Sequence, residues 1–181
     1  EKSSQQRFAS PFWVMVRKEV GDHIRSWRLI VMLILIVLTF LGTMSISLGN
    51  IRSAVGNLQD PDRVFVYLKL LTTSDGTLPT FHTFISFLGP LLGISLGFDA
   101  VNAEHNNRTL IRLMAQPVYR DNLLLAKFSA ALILVSVLFL SLALLMVGTG
   151  LLLTGVPMEP SEALRILGFV AMSVIYVGFW L

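Results

Sequence analysis

The stretch LIVMLILIVLTFLGTMSISL, residues 29–48, contains no charged side chain. As an α-helix it would rise about 30 Å, which matches the hydrocarbon core of a lipid bilayer. Water is absent at that depth, so a segment that crosses it must satisfy its backbone hydrogen bonds internally, as a helix does. The sequence therefore predicts a membrane-spanning helix over 29–48.

Three further apolar stretches follow, at 81–98, 128–154 and 166–181. Only 14% of the 181 residues are charged, whereas about 25% is usual in soluble domains. The composition thus predicts an all-α membrane protein with a transmembrane domain over 29–181. The stretch 166–181 would reach only about 24 Å as a helix, so we expect three full spans and a truncated fourth from a longer chain.

The basic residues are distributed unevenly between the connections. Those before the first span and between the second and third spans are Lys2, Arg7, Arg17, Lys18, Arg25, Arg28, Arg108, Arg112, Arg120 and Lys127, whereas the other connections hold Arg52, Arg63, Lys69 and Arg165. The positive-inside rule therefore places the N-terminus and the loop 99–127 in the cytoplasm. Because these residues adjoin apolar blocks, they favour anionic lipid headgroups over nucleic acid as the partner.

An amphipathic pattern precedes the first span, in residues 1–28. Apolar side chains recur at helical spacing at Trp13, Val16, Val20, Ile24 and Trp27. Lys18, Asp22 and Arg25 fall on the other side of that helix. Two tryptophans with a basic opposite face indicate a helix that lies in the membrane interface. The alternative is a soluble amphipathic helix packed on another domain.

Small residues follow one face of the predicted second span: Ser86, Gly89, Gly93 and Gly97. Such a face allows a second helix backbone to approach closely, so we expect it to be a helix-packing surface. Pro90 lies on the same helix and is expected to kink it.

Hydroxyl side chains follow the first span at Thr39, Thr43 and Ser47. They are candidates for lining a translocation path. The alternative, which we favour, is that these hydroxyls bond to carbonyls of their own or a neighbouring helix.

The sequence contains no pattern that indicates an enzyme. Asp99, Glu104 and His105 are the densest group of acids and imidazole, and their spacing is not that of a metal-ligand motif. A phosphate-binding GxxxxGK[ST] loop and a nucleophile elbow are both missing. We therefore predict no catalytic residue and no metal site in this chain.

The segment FDAVNAEHNNRTLIRLMAQPVYRDNLLLAKF, residues 98–128, resembles the connection between spans two and three of ABC-2 type transporter permeases. The matching positions are Asp99, Glu104, Thr109, Leu110, Pro117, Val118, Arg120 and Lys127. The sequence departs from that pattern at Arg108 and Ala126, where glycine is usual. The stretch RKEVGDHIRSWR is similar to the elbow helix of the same family. Within it, the chain looks most like the permeases associated with nitrous-oxide reductase maturation.

This resemblance implies a permease with six spans, paired with a second permease subunit as a homo- or heterodimer. It also implies two separate ATPase subunits that bind ATP and Mg, and a coupling segment, here 102–116, that docks on the ATPase. The residues expected to make that contact are Glu104, Arg108, Thr109, Leu110, Arg112, Leu113 and Met114. Leu110, Leu113 and Met114 would form a short apolar face, with Arg108 and Arg112 beside it. The alternative is an ordinary solvated loop.

The function that follows from the resemblance is transport of an unidentified substrate, driven by ATP hydrolysis in a separate subunit. We expect a multi-pass protein of a prokaryotic cell membrane with a cytoplasmic N-terminus. A membrane anchor or assembly scaffold that moves no substrate is the alternative. An intramembrane hydrolase is disfavoured because the residues that such chemistry needs are missing.

Overall fold

The computed structural model describes residues 11–55, 66–72, 79–106, 120–155 and 158–181. Within these residues the chain forms α-helices and no strand. The helices are α1 (Pro11–Arg25), α2 (Trp27–Val55), α3 (Val66–Thr72), α4 (Phe81–Asn106), α5 (Arg120–Thr154) and α6 (Pro160–Phe179).

Four of these helices are long and apolar enough to cross a bilayer. Their apolar portions are Trp27–Gly49, Phe81–Phe98, Asn122–Leu153 and Pro160–Phe179. The prediction of an all-α membrane bundle is therefore confirmed. The second apolar portion has the predicted bounds, whereas the third begins earlier than residue 128 and includes Lys127.

The fourth of these helices, α6, begins at Pro160 rather than at residue 166. Glu162 and Arg165 interrupt the apolar pattern, so the sequence alone placed the start of the span after them. In the fold Glu162 is buried, and Pro160 occupies the first helical turn, where its missing N–H costs nothing. The 20 residues of α6 rise about 30 Å, which is enough to cross a bilayer core.

Contacts between the long helices fix their relative directions. Arg28, near the start of α2, lies 5.9 Å from the ring centre of Phe98, which lies in the later part of α4. Phe40 lies against Phe81, the first residue of α4, with 5.0 Å between ring centroids, so α2 and α4 are antiparallel. The bundle therefore has an α1 end, with the start of α2, the end of α4 and the start of α5, and an opposite α3 end.

The core lies between α2, α4, α5 and α6. Its most deeply buried side chains include Phe40, Leu92, Val135, Met146 and Val177. Large apolar side chains also cover the outside of the bundle, among them Leu38, Leu144 and Ile175. A soluble domain rarely exposes so much contiguous apolar surface, so this distribution fits lipid as the surrounding solvent.

Two local features lie at the α3 end of the bundle. The buried carboxylate of Glu162 in α6 accepts a hydrogen bond of 3.0 Å from the backbone N–H of Tyr67 in α3. Tyr67 and Leu71 are buried in the main core, so α3 packs across this end of the bundle. Gly155 follows α5 with φ +66°, a left-handed conformation that glycine adopts readily after a helix.

Candidate functional site

The predicted coupling segment begins as a continuation of α4. This helix runs to Asn106, so Glu104 lies near its C-terminal end. The other predicted contact residues lie outside the described residues: Arg108, Thr109, Leu110, Arg112, Leu113 and Met114. The helix α5 begins at Arg120, so the segment connects the ends of two helices at the α1 end of the bundle.

Helix α1 packs mainly on α5, near the start of that helix. Val16 is buried together with Ala126 and Ala130, which lie one turn apart on α5. Alanine side chains at this spacing leave room for a second helix to approach closely. Helix α1 therefore packs directly on α5, the helix that follows the predicted coupling segment.

A buried ion pair accompanies this contact. Lys127 Nζ of α5 donates a hydrogen bond of 2.9 Å to Glu19 Oε2 of α1, and the two side chains are only 8% and 7% exposed. The second carboxylate oxygen of Glu19 lies 3.3 Å from Lys18 Nζ. Both oxygens of the carboxylate are thus taken by ammonium groups.

The surroundings of Glu19 shift its titration. Burial raises the pKa of a carboxyl group, but the hydrogen bond and charge of Lys127, together with Lys18, outweigh that effect and lower the pKa of Glu19. Partial burial lowers the pKa of Lys18, but the charges and hydrogen bonds of Glu19 and Asp22 raise it by more. The pKa of Lys18 therefore lies above its ordinary value. Glu19 and Lys18 are therefore both charged at neutral pH.

The apolar stripe predicted for the N-terminal helix is split in the structure. Val16 is buried against α5, whereas Trp13, Ile24 and Trp27 are more than half exposed. The buried face of α1 is instead formed by Val16, Glu19 and His23. A helical break at Ser26 also separates Trp27 from α1.

Sequence reasoning missed the roles of Glu19 and Lys127. Lys127 was counted with the loop 99–127, although it lies within an apolar helix. An isolated lysine in such a helix needs a counter-charge or polar partner, and this signal was present in the sequence. Which acid supplies the charge depends on how α1 docks on α5.

The hydroxyl stripe of the first span bonds largely to its own helix. Thr39 Oγ1 donates to the carbonyl of Ile36 at 2.8 Å. Thr43 Oγ1 lies 3.0 Å from the carbonyls of Thr39 and Phe40. Thr43 and Ser47 are buried. Their part in a translocation path stays a prediction.

Thr39 also lines a small cleft between α2, α4 and α5. Its volume is about 10 Å³, which is room for about one water molecule. Phe81, Phe84 and Phe139 are among its other lining residues, so the cleft is mostly apolar.

The small-residue face of the second span lies against α6. A side chain added at Gly93 would place its Cβ 2.8 Å from the carbonyl oxygen of Val177, and one at Gly89 would meet the Tyr176 ring at 3.2 Å. A Cβ at Gly97 would likewise meet the carbonyl of Leu181. Ser86 belongs to the same face, since its backbone carbonyl accepts a 2.9 Å hydrogen bond from the Tyr176 hydroxyl.

The fold and these contacts define a multi-pass helical membrane protein with a docked N-terminal helix. Residues 13–181 match the family described as ABC-2 family transporter protein. The chain belongs to this family. It is therefore part of the membrane subunit of an ABC transporter and is not itself the ATPase.

Two curated relatives are probable ABC transporter permease proteins named NosY. The protein from Pseudomonas aeruginosa PAO1 is 28% identical over 116 residues, which cover 64% of this chain and 37% of that protein. The protein from Stutzerimonas stutzeri is 28% identical over 117 residues, with the same coverage of each chain. The chain thus spans little more than a third of the length of these relatives. No solved structure matches it.

Proposed function

We propose that this chain forms the first membrane spans of a permease that couples ATP hydrolysis in a separate ATPase to movement of a substrate across the cell membrane. The segment 102–116 docks on that ATPase. ATP and Mg bind to the ATPase, and a second permease subunit completes the pathway through the bilayer.

One observation supports this assignment above the others. The two spanning helices that flank the polar segment in the chain, α4 and α5, respectively end and begin at the same end of the bundle as α1. A force applied there acts directly on both α4 and α5, because each helix continues from the segment into the core. Membership of the ABC-2 family and similarity to permeases named NosY also support the proposal.

The basic residues that precede the first span support a cytoplasmic position for this end. Arg17, Arg25 and Arg28 lie on or directly after α1. Their positive charges favour the cytoplasmic side, where the anionic headgroups and the ATPase are found. The exposed Trp13 and Ile24 would then face the lipid interface.

The docking proposal is tested by co-purification from native membranes. Affinity-tagged full-length permease is isolated as wild type, Leu113→Asp, Leu113→Ala, Arg112→Ala and Glu104→Ala at matched expression. The associated ATPase is identified by its phosphate-binding motif and measured by ATP hydrolysis. We expect Leu113→Asp to remove most of the ATPase, because a charge replaces an apolar anchor of the contact.

The milder variants rank the two kinds of contact. An apolar anchor near the centre of an interface costs about 2 kcal/mol or more when truncated, whereas rim charges cost less. Leu113→Ala is therefore expected to weaken association more than Arg112→Ala, with membrane insertion unchanged in both. Full retention of the ATPase and its activity by Leu113→Asp would identify the segment as a plain loop. Retained ATPase with no substrate-dependent hydrolysis would favour the scaffold alternative.

A further inference from the structure

The Glu19–Lys127 pair joins α1 to α5, the helix that follows the proposed coupling segment in the chain. Lys127 lies about two turns after the start of α5, the helix into which the segment leads. Glu19 belongs to α1, which precedes the first span. The pair is therefore a polar link between the N-terminal helix and one of the two helices on which a displaced segment would act.

Because the ion pair is buried, it is stable only when the two charged groups are close and well aligned. Removing two charges from water costs several kcal/mol per ion, and that cost is offset only at close distance and good alignment. The 2.9 Å contact between Nζ and Oε2 meets this requirement. A shift of α1 along α5 by one helical turn, about 5 Å, would separate the charges while both stay buried.

The apolar contact beside the pair is less selective. Val16 lies against Ala126 and Ala130, and a branched side chain can move along a row of alanines with little change in buried area. Apolar packing of similar volume often stabilises a fold as well as a buried ion pair does. What the ion pair adds is one defined position of α1 on α5.

We propose that Glu19 and Lys127 are positioning residues that hold α1 on α5 in one register, so that both helices move together when the partner ATPase displaces the segment between α4 and α5. This inference rests on the proposed function, because it needs an ATPase that acts on that segment. It assigns the N-terminal helix a part in coupling rather than in anchoring alone.

The same helix offers a matched control. Asp22 lies 3.5 Å from Lys18, and both side chains are about 60% exposed. Asp22→Lys makes the same change of charge on α1 as Glu19→Lys, but on the exposed side. A result that depends on the buried pair is therefore separable from one that depends on the net charge of α1.

The experiment compares full-length permease with its ATPase as wild type, Glu19→Lys, Lys127→Glu, the double charge exchange and Asp22→Lys. Register is read by disulfide formation between Val16→Cys and Ala130→Cys in a permease that carries no other cysteine; residues 1–181 contain none. Coupling is read as the ratio of ATP hydrolysis by the assembled complex to that by the ATPase alone.

We expect each single reversal to lower the rate of cross-linking about tenfold, since like charges then meet in a buried site. The double exchange is expected to restore it, and Asp22→Lys to leave it unchanged. The coupling ratio should follow the same order among variants that retain equal amounts of ATPase.

Wild-type cross-linking in the single variants, or no recovery in the double exchange, would overturn the inference. If cross-linking follows the expected order while the coupling ratio is equal throughout, the pair is structural and its role in coupling is disproved. Absence of a co-purified ATPase from the wild type would instead refute the proposed function, and with it the coupling role. Cross-linking would still show whether the Glu19–Lys127 pair fixes the position of α1 on α5.

Discussion

At the scale of single residues, Tyr176 compensates for the proline inside α4. Pro90 has no N–H, so the carbonyl four residues earlier, that of Ser86, loses its helical partner. The Tyr176 hydroxyl donates to this carbonyl at 2.9 Å. In a lipid environment no water is available to take that place, so one side chain of α6 satisfies the backbone defect of α4.

This arrangement predicts that the two residues are energetically coupled. Tyr176→Phe should lower the stability of the permease by about 1 kcal/mol, because the Ser86 carbonyl loses its donor. In a Pro90→Ala background the restored N–H satisfies that carbonyl, and Tyr176→Phe should then cost little. Thermal unfolding of the four proteins in detergent measures the coupling. Equal costs of Tyr176→Phe in both backgrounds would contradict the assignment.

At the scale of helices, the contact between α4 and α6 depends on the absence of side chains. The nearest atoms to a Cβ at Gly93 belong to the carbonyl of Val177 and to Trp180, at 2.8 and 2.9 Å. The first is a backbone atom and the second a Cβ, and neither moves away as the end of a flexible side chain does. Any residue larger than glycine therefore forces the two helices apart.

Gly93→Ala is accordingly expected to destabilise the bundle by about 1–3 kcal/mol, the usual cost of overpacking a tight contact. Gly148 in α5 provides the control, because nothing lies within 4 Å of a Cβ built there. Gly148→Ala should be neutral or slightly stabilising, since alanine is the better helix former. Detergent-solubilised melting curves give both values. A Gly93→Ala curve that overlays that of Gly148→Ala would show that the face is not tightly packed.

At the scale of the whole molecule, the bundle has two chemically different ends. The α1 end contains the buried ion pair and the basic residues that precede and follow it, whereas the α3 end carries Glu159 and the buried Glu162. The excess of lysine and arginine at the α1 end predicts that this end is cytoplasmic.

Single cysteines introduced into the cysteine-free chain test that orientation. In intact cells, a membrane-impermeant maleimide should label Glu159→Cys and leave Asp22→Cys and Ala115→Cys unmodified. Asp22 and Glu159 are exposed in the fold, so burial would not explain protection. Detergent permeabilisation should make all three reactive. Labelling of positions 22 and 115 in intact cells, with protection of 159, would reverse the orientation.

The sequence alone was sufficient for the class of fold. Twenty or so uncharged residues have few structural options in a bilayer, because the backbone must bond to itself. The same reasoning failed at the start of α6, where Glu162 looks like a residue of a loop. Its carboxylate is buried and accepts a hydrogen bond from the N–H of Tyr67, 95 residues away in sequence.

In the candidate site, too, one part can be predicted from the sequence and another depends on how the helices pack. The segment 102–116 is predicted from local sequence, since a polar stretch between two spans and its resemblance to ABC-2 permeases are both read along the chain. The Glu19–Lys127 and Tyr176–Ser86 contacts join residues 108 and 90 positions apart. Sequence shows that a lysine in an apolar helix and a carbonyl freed by proline each need a partner. Only the packing of the helices selects which residue it is, because direction and register are set by contacts between elements rather than within them.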